Sequence, residues 1–150
     1  MLGAMRHFIL LSLLCVGAAS AQAPAAAAAD RNAVQRAVLD YIEGFYEGDT
    51  AKLVRSLRPE MYKFGFYKEA PTAPYGGSRM TYDAAIAFAR RVKANNTPAA
   101  ANAPREITIY EVLDQTASVK IRAWWGTDYM LLGKYDGKWM ISHVLWQSPP

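Results

Sequence analysis

The sequence predicts an α+β domain, with helices first and a run of antiparallel strands after them. Three observations predict it. Apolar residues recur three and four apart as far as Lys93, and the apolar period falls to two from Arg105 onward. The pair Asp136-Gly137 separates two apolar runs, DYMLLGKY and KWMISHVLW, and both of its residues tolerate the positive φ of a tight hairpin turn. Helices followed by strands in blocks, rather than alternating, define the α+β class. A chain of 150 residues is one domain's worth.

The elements follow in order. Asp30 is placed to cap a first helix carrying Val34, Val38, Tyr41, Ile42 and Phe45 on one face, stopped by Gly48 and Asp49. A short second helix, Thr50 to Leu57, buries Leu53 and Leu57 and ends before Pro59. Met61 to Tyr67 reads as a short strand, and Pro71, Pro74, Gly76 and Gly77 mark a loop. Thr81 caps a third helix, Tyr82 to Lys93, with Ala85, Ile86, Ala89 and Val92 inward. After a second loop, Asn95 to Pro104, four strands are expected: Glu106–Leu113, Ala117–Trp125, Asp128–Tyr135 and Lys138–Gln147.

The amino-terminal segment is set apart from this domain. MLGAMRHFILLSLLCVGAASAQA has basic Arg6 and His7, an apolar run from Phe8 to Val16, and Ala19-Ser20-Ala21 before Gln22. That is the layout of a secretory signal, too short for an ordinary membrane span. Residues 1–21 are read as a signal peptide, 22–29 as a flexible alanine-rich tether, and 30–150 as the folded domain. The expected location is periplasmic or secreted, with no membrane association after cleavage.

Loss of the signal removes Cys15, the only cysteine, so the mature chain has no thiol chemistry and no disulfide. It also removes His7, leaving His143 as the single histidine and excluding a two-histidine metal site. No metal and no cofactor are expected. Loss of Arg6 lowers the formal charge of +4 by one. With no basic cluster on one expected face, nucleic-acid binding is not expected either.

A two-residue turn at Asp136-Gly137 sets Tyr135 against Lys138, Leu132 against Ile141, Met130 against His143 and Asp128 against Leu145. One face then carries Asp128, Met130, Leu132, Trp139, Ile141, His143 and Leu145. A turn at Gly126-Thr127 adds Val119, Ile121, Ala123 and Trp125 to that face, which the helices are expected to cover. The other face carries Trp124, Tyr129, Leu131, Met140, Val144 and Trp146, too apolar to be left in water. A homodimer through the sheet face bearing Trp124, Tyr129, Met140 and Trp146 is the expected remedy.

In this register Asp128 and His143 lie diagonally, at a Cβ separation of about 7 Å, where a carboxylate can orient an imidazole. They are the catalytic candidates, weighed against a histidine satisfied inside an apolar core. Tyr41, Phe45, Tyr46, Tyr62 and Tyr67, with Trp125, are either ordinary core or the aromatic wall of a pocket; buried tyrosine hydroxyls need partners, which favours the pocket. The expected ligand-binding set is Tyr41, Phe45, Tyr62, Trp125, Asp128 and His143.

The stretch TASVKIRAWWGTDYMLLGKYDGKWMISHVLWQ resembles the carboxy-terminal signature of the putative lumazine-binding family. That family belongs to the nuclear transport factor 2-like superfamily, alongside ketosteroid isomerase and the SnoaL-like polyketide cyclases. The segments VLDYIEGFYEGDTAKLVRSLRPE and SRMTYDAAIAFARRV resemble its first two helices and its third. The resemblance implies a cone-shaped fold, three amino-terminal helices against a curved antiparallel sheet with a cavity at the open end, and homodimers through the sheet. It brings no reaction, because the superfamily hosts enzymes and binders alike. Relatives often show His-Pro where this chain has Arg58-Pro59, and Asn where it has His143. No ketosteroid isomerase catalytic pattern carries over position by position.

The leading expectation is an exported protein binding an unknown small molecule in an aromatic-lined cavity, without evident catalysis. One alternative is a lyase or isomerase of the SnoaL or ketosteroid isomerase kind, with His143 as base and Asp128 orienting it. Another is a structural or protein-interaction domain.

Overall fold

The computed structural model describes residues 19–150, so most of the expected signal lies outside the described residues. Three helices lie against one curved, unclosed sheet, and the α+β expectation holds. The helices are α1 (Ala19–Glu47), α2 (Thr50–Ser56) and α3 (Tyr82–Ala94). The strands are β1 (Leu57–Tyr67), β2 (Gly76–Met80), β3 (Glu106–Val112), β4 (Thr116–Ala123), β5 (Gly126–Tyr135) and β6 (Lys138–Gln147). Across the sheet they run β2-β1-β6-β5-β4-β3.

Helix α1 is longer than its expected cap at Asp30 allows. The alanine-rich stretch read as a tether continues it, with Ala25 to Ala29 helical and exposed, as the high helix propensity of alanine permits without any packing. Asp30 therefore sits inside the helix. Its carboxylate accepts from Trp139 Nε1 at 2.9 Å and pairs with Lys134 Nζ at 2.7 Å, fastening α1 to the β5–β6 hairpin. The helix ends at Gly48, which takes φ +71°, and Asp49 caps α2 through the amides of Ala51 and Lys52. Thr81 caps α3 as expected, its Oγ1 accepting from Ala84 N at 3.2 Å.

The segment after α2 departs from expectation in two ways. β1 starts at Leu57 and runs parallel to β6, so the sheet is not wholly antiparallel; its pairing is irregular between Leu57 and Tyr62, around Pro59, which has no amide hydrogen for the ladder. Residues Gly76 to Met80, read as part of a loop, form an exposed edge strand paired antiparallel with β1. Nothing apolar in that segment alternates, but Gly77 lets the Phe64 ring lie close: a Cβ there would fall 2.7 Å from Phe64 Cζ.

The core lies between the helices and the inner sheet face. Val34, Val38, Tyr41 and Ile42 of α1, Leu53 of α2, and Ala85 and Ala89 of α3 meet Val119, Ile121, Met130, Leu132, Trp139 and Ile141. The β4–β5 turn falls at Trp124-Trp125, two residues before its expected place, so Ala123 faces Gly126, and Ile121 faces Asp128. That displacement is even, so the expected inner-face residues Val119, Ile121 and Ala123 are retained.

The β5–β6 hairpin turns at Asp136-Gly137 and keeps the expected pairs Tyr135 with Lys138 and Leu132 with Ile141. Beyond them a bulge intervenes, and Met130 faces Val144 rather than His143, while Asp128 faces Trp146 rather than Leu145. Ser142 and His143 together occupy the step opposite Leu131, where Ser142 Oγ donates to the Leu131 carbonyl at 3.1 Å. One extra residue inverts the faces of everything after it. Val144 and Trp146 turn inward, and His143 and Leu145 turn outward.

Candidate functional site

The inner end of β5 carries a carboxylate into the core. Asp128 is completely buried. Tyr41 of α1 donates its hydroxyl hydrogen to Asp128 Oδ2 at 2.7 Å, and Trp125 Nε1 donates to Oδ1 at 2.7 Å. Lys63 of β1, only 4% exposed, places Nζ 2.5 Å from the Tyr41 hydroxyl oxygen and 3.4 Å from Asp128 Oδ2. Lysine, tyrosine and aspartate thus form a chain of donors, with the indole as a second support for the carboxylate. Both carboxylate oxygens receive donors, and the Lys63 ammonium stands beside them as the counter-charge.

Four aromatic rings surround Lys63 Nζ. Their centroids lie 5.2 Å away for Tyr41, 5.6 Å for Trp146, 5.7 Å for Phe45 and 5.9 Å for Trp125. Ring faces attract a cation by about 0.5–2 kcal/mol, less than the several kcal/mol of hydration that an ammonium loses on burial. Desolvation by this apolar shell lowers the pKa of Lys63, against the opposing attraction of Asp128. The phenol of Tyr41 moves the other way, raised well above its ordinary value by burial and then by the neighbouring carboxylate.

This cluster forms one wall of a recess of about 200 Å³ lined by Phe45, Lys63, Met80, Phe88, Trp124, Trp125 and Trp146. Apart from Lys63 the lining is apolar or aromatic. Local geometry holds the two inner tryptophans. Trp125 sits in the β4–β5 turn, which Tyr46 ties down by accepting from Trp124 N at 2.9 Å and donating to the Pro104 carbonyl at 2.5 Å. Trp146 lies over Gly65 of the neighbouring strand, where a Cβ would fall 1.7 Å from its Nε1. Only glycine leaves room for that ring.

The expected site residues divide into two groups. Tyr41, Phe45, Trp125 and Asp128 come together here. Tyr62 and His143 do not: they are partners across β1 and β6 on the outer face, where His143 Nδ1 lies 3.1 Å from Ser142 Oγ. The expected pairing of Asp128 with His143 is therefore corrected, because the bulge puts the sheet between them. Trp146, expected on the outer face, is an inner wall of the recess, and Trp124 stands at its rim in a turn.

Lys63, Met80 and Phe88 were not anticipated as site residues. In MYKFGFY, alternation separates Tyr62, Phe64 and Phe66 from Met61, Lys63 and Gly65, and hydropathy favours the first set as the buried one. The structure buries the second. The available signal was Gly65: a glycine inside a strand marks a place where something large approaches.

The architecture is that of the nuclear transport factor 2-like proteins. The chain belongs to the family described as "Putative lumazine-binding", whose model matches residues 29–147. Among solved structures it is similar to a nuclear transport factor 2-like protein of unknown function from Silicibacter pomeroyi, with 18% identity, 87% of this chain and 99% of that one covered, and a TM-score of 0.57. A counterpart from Shewanella baltica, also of unknown function, gives 18% identity, coverage of 82% and 96%, and a TM-score of 0.59. A protein with a cystatin-like fold from Novosphingobium aromaticivorans gives 11% identity, coverage of 89% and 91%, and a TM-score of 0.61. At these identities the likeness is one of fold. No curated protein matches the chain.

Proposed function

We propose that this protein is an exported small-molecule-binding domain whose ligand occupies the recess above Lys63. The observation that carries the reading is a buried, charge-balanced cluster opening on an otherwise apolar, aromatic recess. Such a lining, with a few polar groups placed to fix orientation, is the usual composition of a ligand site. An ammonium has three donors, and Lys63 Nζ has two acceptors, Tyr41 and Asp128. A flat ligand with a carbonyl or anionic oxygen would satisfy the third and stack on Trp125 or Trp146. Lumazine, in the family's description, has both properties.

Native mass spectrometry of the full protein recovered from the cell envelope tests the binding role. A co-purifying small molecule, or saturable heat on titration with lumazine, is expected. A ligand-free spectrum together with a flat titration refutes it. The same sample tests export, since the intact mass should begin at Gln22; a retained Met1 would refute that part.

The outer sheet face supports a second element of the proposal, a homodimer through the sheet. Trp146 no longer belongs to that surface. Tyr129, Leu131 and Leu145 are 50–54% exposed there, beside Tyr62 and Tyr110. A contiguous apolar surface of this kind is a common mark of a protein interface, and a second copy burying it face to face would satisfy it.

A further inference from the structure

We infer that Lys63 is a carbonyl-capturing amine, forming a reversible imine with a small aldehyde or ketone that enters the recess. The inference rests on the reading that a small molecule occupies this space, and it adds a covalent step to it.

Three features converge on the amine. It lies at the wall of a recess of about 200 Å³, below the usual ligand-pocket range of about 300–1,000 Å³, so a ligand of one or two small rings or a short chain fits and a larger one does not. The four rings around Nζ keep bulk water from hydrating an ammonium, which favours the neutral amine that attacks carbonyl carbon. The lowered pKa of Lys63, caused by that desolvation, agrees.

The third feature is a path for the proton. Tyr41 accepts from Lys63 Nζ at 2.5 Å and donates to Asp128 Oδ2 at 2.7 Å. As the ammonium proton moves to the Tyr41 oxygen, the Tyr41 proton moves to Asp128, leaving a neutral amine, a neutral phenol and a protonated carboxyl. The amine lone pair then forms the C–N bond, and the carbonyl π pair moves to oxygen. The carbinolamine nitrogen gives up a proton, its oxygen gains one and then the proton held by Asp128, and water leaves as the C=N bond forms. Nitrogen keeps its remaining proton, so the net change is ammonium plus carbonyl giving protonated imine plus water, with Asp128 back as the carboxylate and no redox partner required. Trp125 Nε1, on the other carboxylate oxygen at 2.7 Å, keeps Asp128 in place while its charge changes.

Reductive trapping tests this. The full chain is incubated with benzaldehyde at neutral pH, treated with sodium cyanoborohydride, and analysed by intact mass and peptide mapping. Lys63 should acquire one benzyl group roughly tenfold or more faster than any other lysine, because the recess holds the carbonyl against the amine. Tyr41→Phe, which keeps the ring and loses the relay, should slow labelling of Lys63. Met80→Trp, which narrows the recess without touching the cluster, should suppress it.

Benzyl alcohol, which cannot form an imine, serves as the parallel probe by tryptophan quenching. If it binds and benzaldehyde labels only surface lysines, covalent capture is overturned and the binding role stands. If neither probe enters, both readings fall for ligands of this size. Labelling of Lys63 that Tyr41→Phe leaves at full rate would overturn the relay.

Discussion

A mutation that removes the charge of Asp128 should be partly repaired by a second one that removes the charge of Lys63. In Asp128→Asn the side chain keeps its shape, but the ammonium, 4% exposed and 3.4 Å from the former carboxylate, is left without a counter-charge. Removing one partner of a buried pair costs about 3–5 kcal/mol. Lys63→Met alone leaves a buried carboxylate that still receives Tyr41 and Trp125, so about 3 kcal/mol, the low end of that range, is expected. In the double variant both charges are gone. What remains is one amide facing two donors, a mismatch of about 1–2 kcal/mol. The double variant should therefore be more stable than Asp128→Asn by about 2 kcal/mol, with strong non-additivity across the cycle. Urea unfolding with a common m-value measures this. If the single variants are unfolded in buffer, recovery of a cooperative transition in the double variant is the same result. Additive costs, or a double variant less stable than either single one, would show that the two residues do not share a charge balance.

Other expectations follow from the same structure. Gly65→Ala should cost about 1–3 kcal/mol through overpacking and change tryptophan emission, since its Cβ would fall 1.7 Å from Trp146 Nε1 and the ring must leave the wall; unchanged emission and stability would contradict the packing described. Stability should fall in acid. For Asp40, burial opposes ionisation, but the hydrogen bonds and charges of Arg55 and Arg36 outweigh it and hold the carboxyl below its ordinary 3.8; Glu43, likewise buried in part, is held below 4.5 by Lys52 and Arg36. Depressed folded-state values mean that the unfolded chain takes up protons first, so the stabilisation is full above about pH 4.5 and is lost as pH falls through the folded values. Urea midpoints should decline there, and Asp40→Asn should flatten the decline; an unchanged slope would rule Asp40 out as a contributor. Leu145→Glu, on the outer face, should leave the fold intact and convert a dimer to a monomer by light scattering, and a monomeric unmutated protein would remove the dimer from the proposal.

Much of this was legible in the sequence because it depends on local chemistry. Helices announced themselves by period, by the stop at Gly48-Asp49 and by the cap at Thr81, and the Asp136-Gly137 turn fixed the hairpin's near end. The inner-face residues of β4 survived a misplaced turn, since a shift by two residues preserves the face of a strand. What the sequence hid depends on single-residue counts and on distant partners. The Ser142-His143 bulge has no composition of its own, yet it moved His143 out of the site and Trp146 into it. The inward turn of Lys63 was hidden for another reason. A lysine in a strand reads as solvent-facing, and only the arrival of Tyr41 and Asp128 from elsewhere in the chain makes its burial tolerable. The edge strand β2 has no burial to pattern it.

The bulge also governs how insertions and deletions in β6 would be received. Trp139 and Trp146 both face inward although they stand an odd number of positions apart, which a regular strand cannot achieve. Ser142 and His143 share one step of the ladder, so losing either would regularise the strand and leave both tryptophans where they are. Losing Val144 instead would carry the indole wall to the outside unless the bulge closed in compensation. Relatives one residue shorter in this strand should therefore be compared with the gap opened at Ser142-His143. Counting in register from the Asp-Gly turn would set a wall residue of one protein against a surface residue of the other.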